Sequence, residues 1–140
     1  MKVGELMTLN PESVRTTDTL AFVDEKMRKG HFRRVLVVDD AGKLLGILSD
    51  GDLREHIGYL PSTSVSAAMV ENPVTISAEA TIGSAADLMR WHKIGGLPVV
   101  DADGGLIGII TESDLLLALA ETVPARASDA PQSKACTVTR

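Results

Sequence analysis

The chain has 140 residues, 24% of them charged, and carries a net charge of −5 at pH 7. That balance argues against a broadly basic surface for nucleic acid or anionic membrane. A single cysteine, Cys136, excludes a disulfide framework and a Cys/His metal cluster, and no apolar run reaches the length of a membrane span.

The opening stretch, MKVGELMTLNP, lacks the apolar core of a signal peptide, so the expected compartment is the cytoplasm. A short strand is predicted at Val14 to Thr16. Thr19 then suits the N-cap of a helix that places Leu20, Val23 and Met27 on one face, with Gly30 as its stop signal. Arg33 and Arg34 stand directly before the apolar run Val35 to Val38. A second run, Leu44 to Leu48, follows the turn residues Asp39 to Lys43, which is a hairpin pattern. The stretch GILSDGDL, Gly46 to Leu53, ends that hairpin and opens a helix from about Gly51 to about Ile57. Gly58 to Ser64 reads as a linker.

The same order then returns. A strand is predicted at Ile76 to Ala78, and a helix capped by Thr81 carries Ile82, Ala85, Leu88, Met89 and His92. The runs Leu97 to Val100 and Leu106 to Ile110 flank the turn Asp101 to Gly105, and GIITESDL, Gly108 to Leu115, opens a last helix. Gly46 and Gly108 lie 62 positions apart, and one offset of 62 aligns most of both halves without a gap. Met7, Asn10 and Pro11 fall on Met69, Asn72 and Pro73; Val37, Val38 and Asp39 fall on Val99, Val100 and Asp101. A long match at one offset is the signature of a duplicated unit. Each unit reads β-α-β-β-α, an α/β (α+β) chain with the first unit at 1–57, a linker at 58–65, the second unit at 66–122 and a mobile tail at 123–140.

Ser49 with Asp52, and Thr111 with Asp114, occupy the same place in the two units. Ser/Thr-x-x-Asp at a helix start is first a capping box. Its repetition at a strand end beside a helix N-terminus also suits a nucleoside, because a carboxylate accepts hydrogen bonds from ribose hydroxyls. Acidic residues would repel a phosphate at that helix end, so the sugar should sit there. The Arg33–Arg34 pair is a phosphate candidate, although a lone arginine pair at a strand end is more often simply solvated. The second unit has Gly95 and Gly96 instead, with His92 and Lys93 as the nearest bases. The two candidate sites are therefore expected to differ, with the stronger positive charge in the first. His31, His56 and His92 are isolated, and neither a P-loop nor a dinucleotide fingerprint occurs, so no enzyme is expected.

These features resemble a tandem CBS-domain pair, also called a Bateman module, from about Val3 to about Leu119. The residues that carry the likeness are Met7 with Asn10-Pro11, Met69 with Asn72-Pro73, Leu97 to Asp101, and the two Gly-φ-φ-Ser/Thr-x-x-Asp-Leu endings. The resemblance implies two motifs packed through their sheets about a pseudo-twofold axis, with clefts for AMP, ADP, ATP or S-adenosylmethionine and no required cofactor. It implies that Asp52 and Asp114 hold ribose, that Ser49 and Thr111 contact ribose or phosphate, and that Arg33 and Arg34 meet the phosphates. Val14 to Thr16 and Ile76 to Ala78 would line an adenine pocket. A stand-alone sensor acting in trans on a separate protein is the expected function, as a homodimer formed through the leucine-rich segment Leu115 to Leu119. A ligand-free dimerisation or interaction scaffold, in which the repeated motifs only cap helices, is the alternative.

Overall fold

The computed structural model describes residues 1–123 and residue 126. The tail expected over 123–140, Cys136 included, lies otherwise outside the described residues. In chain order the elements are α1 (Val3–Leu6), β1 (Thr8–Leu9), β2 (Ser13–Val14), α2 (Leu20–Gly30), β3 (Arg34–Val38), β4 (Leu44–Ser49) and α3 (Asp50–Arg54). A 3₁₀ turn (Leu60–Ser62) leads to α4 (Val65–Ala68), β5 (Val70–Glu71), α5 (Ile82–His92), β6 (Gly96–Val100), β7 (Leu106–Thr111) and α6 (Glu112–Thr122). No helix among the described residues is long and apolar enough to cross a membrane.

Two sheets form, a mixed one ordered β2-β3-β4-β5 and an antiparallel one ordered β1-β7-β6. A single parallel bridge from Ile76 to Val99 stands in the second sheet where β2 stands in the first. The sheets do not follow the division of the sequence. β5, from the second copy, pairs with β4 through Gly46–Glu71 and Ile47–Val70. β1, from the first copy, pairs with β7 through Leu9–Gly108 and Thr8–Ile109.

The helices preceding these strands are exchanged in the same way. Val3 is fully buried among Ile76, Ala85, Met89, Leu97, Val99 and Ile110, and Val65 among Leu20, Val23, Val35 and Leu48. The backbone N–H groups of Val3 and Gly4 donate to the carbonyls of Ala80 and Ala78 at 2.8 and 2.9 Å. Those of Val65 and Ser66 donate to Asp18 and Thr16 at 2.8 and 3.1 Å. The first turn of a helix has N–H groups without intrahelical partners, and here the other copy supplies the acceptors.

Thr19 and Thr81 cap α2 and α5, accepting from Phe22 N–H at 3.2 Å and Ser84 N–H at 3.1 Å. The apolar faces Leu20, Val23, Met27 and Ala85, Met89 are buried. The stop of α2 differs from the sequence expectation. Gly30 is still helical, and the left-handed cap is His31 (φ 58°), matched by Lys93 (φ 56°) after α5. Gly30 serves another purpose: a Cβ there would collide with the ring of Phe32. The helix after GILSDGDL is also shorter than expected. It ends at Arg54, and its chain tightens into i→i−3 turns such as His56 N–H to Leu53 O at 3.0 Å.

The hairpin turns meet at the pseudo-twofold axis. Leu44 N–H donates to Gly104 O at 3.2 Å, and Leu106 N–H donates to Gly42 O at 3.1 Å. Gly42 and Gly104 both hold φ 85°, a conformation that costs little only without a Cβ. The Asp39 carboxylate accepts from the N–H groups of Ala41 and Lys43, each at 2.9 Å. The bond from Lys43 leads the causes that lower its pKa from the usual value. Asp101 repeats the arrangement with Asp103 and Gly105.

Val3→Ala and Val65→Ala each remove two methyl groups from a sealed core. Each should lower unfolding stability by about 2 kcal/mol in urea denaturation. A loss near zero for Val3→Ala would mean that α1 is not docked in solution.

Candidate functional site

Two clefts open where the strand ends of one sheet face the strand starts of the other. Cleft one, about 350 Å³, is bordered by Ile47, Ser49 and Asp52 on one side. The crossing segment Asn72-Pro73-Val74 and the stretch Ile94, Gly95, Gly96, Pro98 lie opposite. Cleft two, about 330 Å³, is bordered by the residues 62 positions away: Ile109 and Thr111, Asn10-Pro11-Glu12, and Phe32, Arg33, Arg34, Leu36. Both sizes fall in the range of small-molecule pockets. Asn10 and Asn72 each hold φ 51°, which asparagine tolerates better than most residues. The prolines after them keep the chain out of the neighbouring ladder.

The repeated motif has nearly the same geometry in both copies. Ser49 N–H donates to Asp52 Oδ2 at 2.8 Å, Ser49 Oγ–H donates to the same oxygen at 3.1 Å, and Asp52 N–H donates to Ser49 Oγ at 3.3 Å. For Thr111 and Asp114 the three distances are 2.8, 3.1 and 3.4 Å. These are complete capping boxes. Each uses only Oδ2 of its carboxylate. Among the described residues Oδ1 takes no hydrogen bond from either partner, so the cap leaves one acceptor for another molecule.

The arginines are not where the linear order suggests. Arg33 borders cleft two together with Thr111, not the cleft of Ser49 and Asp52. Arg34 pairs with Ser49 across β3 and β4 and borders both clefts. Of the arginine pair, Arg34 thus shares a cleft with the first copy's hydroxyl and carboxylate and Arg33 does not. Each cleft joins the cap of one copy to the strand start of the other. Gly95 and Gly96 are not merely missing bases. A Cβ on Gly96 would lie 3.4 Å from Cδ and Nε of Arg34, and one on Gly95 would collide with its guanidinium.

Asp52 borders cleft one, whereas Asp114 reaches cleft two only through its bonds to Thr111. Val14, Thr16, Ile76 and Ala78 border neither cleft. Val14 and Ile76 are core residues, and the carbonyls of Thr16 and Ala78 accept from the exchanged helices. Ile76 and Ala78 also line a separate surface hollow with Val100 and Asp101. Residues that the sequence reading did not place at the site include Asn10-Pro11, Asn72-Pro73, Phe32 and Ile94, with Ile47, Val74, Pro98, Leu36 and Ile109 of the aliphatic walls. The repeated Asn-Pro pair was the available signal. Among the described residues no group of three or more His, Cys, Asp or Glu is arranged to hold a metal ion.

Comparison with known proteins agrees with this architecture. The CBS domain profile matches residues 3–59 and 65–121. A CBS domain-containing protein of Dictyostelium discoideum is 37% identical over 127 residues, covering 81% of this chain and 88% of that protein. Inosine-5'-monophosphate dehydrogenase of Mycobacterium tuberculosis is 37% identical over 111 residues. That match covers 79% of this chain but only 21% of the dehydrogenase. The crystal structure of CBSX2, a CBS-pair protein from Arabidopsis thaliana, in complex with AMP superposes with a TM-score of 0.78 at 29% identity. It covers 86% of this chain and 97% of that one.

Because the hydroxyls complete the caps, Ser49→Ala and Thr111→Ala should each lower stability by about 1 kcal/mol in the absence of any ligand. Urea titration of the two variants checks this, and an unchanged midpoint would remove the capping role.

Proposed function

The chain belongs to the CBS-domain family as a tandem pair, and on that premise we propose that it is a cytoplasmic regulatory module that binds an adenosine-containing ligand between its repeats. AMP, ADP, ATP and S-adenosylmethionine are the candidates. The observation that carries this reading is the make-up of the clefts. Cleft one sets the capped carboxylate of Asp52, with its unused oxygen, on the same space as Arg34; cleft two sets Thr111, which caps with Asp114, on the same space as Arg33 and Arg34. The AMP complex of CBSX2 supports the same ligand class.

In this reading the ribose hydroxyls donate to Asp52 in cleft one and to Asp114 in cleft two, and Ser49 and Thr111 hold those carboxylates in place. The base lies against the aliphatic wall, Ile47, Val74 and Pro98 in cleft one and Ile109 and Leu36 in cleft two. Asp50 and Glu112, in the first turns of α3 and α6, keep phosphate away from those helix ends. The phosphates then point to Arg34 and, in cleft two, to Arg33. A ligand that touches both repeats can favour one relative arrangement over another, and it shifts the population only by its difference in affinity for the two. The module acts in this way on a partner protein, and its role is regulatory rather than catalytic.

We further propose a homodimer formed through α5 and α6. Leu116 and Leu119 on α6 are 65% and 58% exposed. With Ile82, Leu115 and Met1 they border an open apolar groove of about 810 Å³. The first repeat does not cover this face. The corresponding groove on α2 and α3 carries Asp24, Arg28, Asp50 and Arg54 instead. An apolar face of that extent suits a protein contact.

One observation favours the scaffold alternative: both capping boxes are completed by the chain's own groups. Calorimetric titration with AMP, ADP, ATP, S-adenosylmethionine and NAD separates the two. The nucleotide reading expects saturable micromolar binding of one of them, with Asp52→Ala and Asp114→Ala each removing one site. No heat from any of them leaves the scaffold. For the dimer, Leu116→Glu should shift the mass in sedimentation equilibrium from dimer to monomer without loss of the folded circular dichroism spectrum. A wild-type chain that is monomeric at high micromolar concentration would sink the interface.

A further inference from the structure

We propose that the two clefts share one guanidinium, that of Arg34, so that a phosphate-bearing ligand in one cleft weakens the binding of a second in the other. This rests on the nucleotide reading above and adds a regulatory property to it.

The observation is one of position. Arg34 alone among the described residues borders both clefts. Its side chain lies across the backbone of Gly95 and Gly96; a Cβ on Gly95 would collide with the guanidinium, and one on Gly96 would lie in ordinary contact at 3.4 Å. It is half-buried, and among the described residues it makes no ion pair. An arginine remains charged at any ordinary pH, and its planar fork matches phosphate oxygens. A guanidinium on a half-buried residue that no carboxylate among the described residues holds within 4.0 Å is thus available to an anion from either side.

The pseudo-symmetry makes the count unequal. Gly96 is the position equivalent to Arg34, so one arginine stands where two would serve the two clefts. Cleft two has Arg33 in reserve, whereas among the described residues Arg34 is the only basic one bordering cleft one. A phosphate in cleft two that draws the guanidinium toward Thr111 leaves cleft one with acidic neighbours and no base. By linkage, a phosphate held in cleft one must weaken cleft two by the same factor. A hydrogen-bonded charge pair corresponds to roughly tenfold or more in affinity. Adenosine, which has no phosphate, does not draw on Arg34, and its two binding events are independent.

The test is calorimetric titration of the full chain with AMP and, separately, with adenosine. It uses the wild type and the single-cleft variants Asp52→Ala and Asp114→Ala. If circular dichroism shows either variant unfolded, Asp52→Asn and Asp114→Asn replace them, because an amide oxygen still serves the cap. For independent sites, the product of the two wild-type dissociation constants equals the product of the two single-cleft constants. The expected result is an AMP product at least about tenfold above that value, with no excess for adenosine. Adding Arg34→Ala to each protein should weaken AMP at both clefts and abolish the excess. Equal products for AMP overturn the sharing, as does an excess that adenosine reproduces or that survives Arg34→Ala. AMP binding in only one single-cleft variant also overturns it, while the nucleotide reading stands. If neither compound binds any of the proteins, the nucleotide reading itself fails and the sharing fails with it.

Discussion

Burial of Val3 in the second copy's core, and of Val65 in the first copy's, is the contact on which the rest of the molecule depends. Each copy sends its opening helix and strand to the other, so each sheet obtains an edge strand from outside its own copy. The chain must then return. It does so at Asn10-Pro11 and Asn72-Pro73, where a left-handed residue turns the backbone and a proline withholds a ladder donor. These return segments form one wall of each cleft. The clefts are consequently not carved into a finished fold. They are the space left when two exchanged segments pass between two sheets.

The same economy governs the motif at each helix start. A capping box and a sugar grip look like competing explanations for Ser/Thr-x-x-Asp, yet a carboxylate has two oxygens. Oδ2 of Asp52 and of Asp114 takes both bonds of its cap, which fixes the rotamer and leaves Oδ1 as a positioned acceptor. Ligand binding at such a site needs little ordering of the side chain, since folding has already restricted it.

Much of this was legible in the sequence. The 62-residue offset gave the duplication, the apolar runs around Asp39 to Lys43 and Asp101 to Gly105 gave the hairpins, and Thr19 and Thr81 gave the helix starts. The exchange was not legible, for a simple reason. A repeat reads the same whether residue 3 packs on its own copy or on the other, because both arrangements preserve the offset. Arg33 was misplaced through the same ambiguity, since a residue of the same copy as Ser49 need not face its cleft, whereas Arg34 does border it. Gly30 misled differently. Glycine is the usual helix stop, but here its missing Cβ makes room for Phe32, and the left-handed residue is His31. Thr16 and Ala78 were placed at an adenine pocket by the family resemblance; their side chains border neither cleft, and their carbonyls accept from the exchanged helices.

The hairpin tips set the mechanics of the pair. Two backbone hydrogen bonds, related by the pseudo-twofold axis, join Gly42 to Leu106 and Gly104 to Leu44. The clefts lie at the other end of the same hairpins, beside Arg34, Ser49, Gly96 and Thr111. Five residues of strand separate the two ends, a lever of about 15 Å. Bonds at the tip resist sliding far more than they resist a small tilt. A tilt of about 5° there displaces the cleft walls by roughly 1 Å over that lever, a distance that decides whether a hydrogen bond is made or broken. The tips are thus placed to act as a fulcrum, with the largest displacement at the cleft walls.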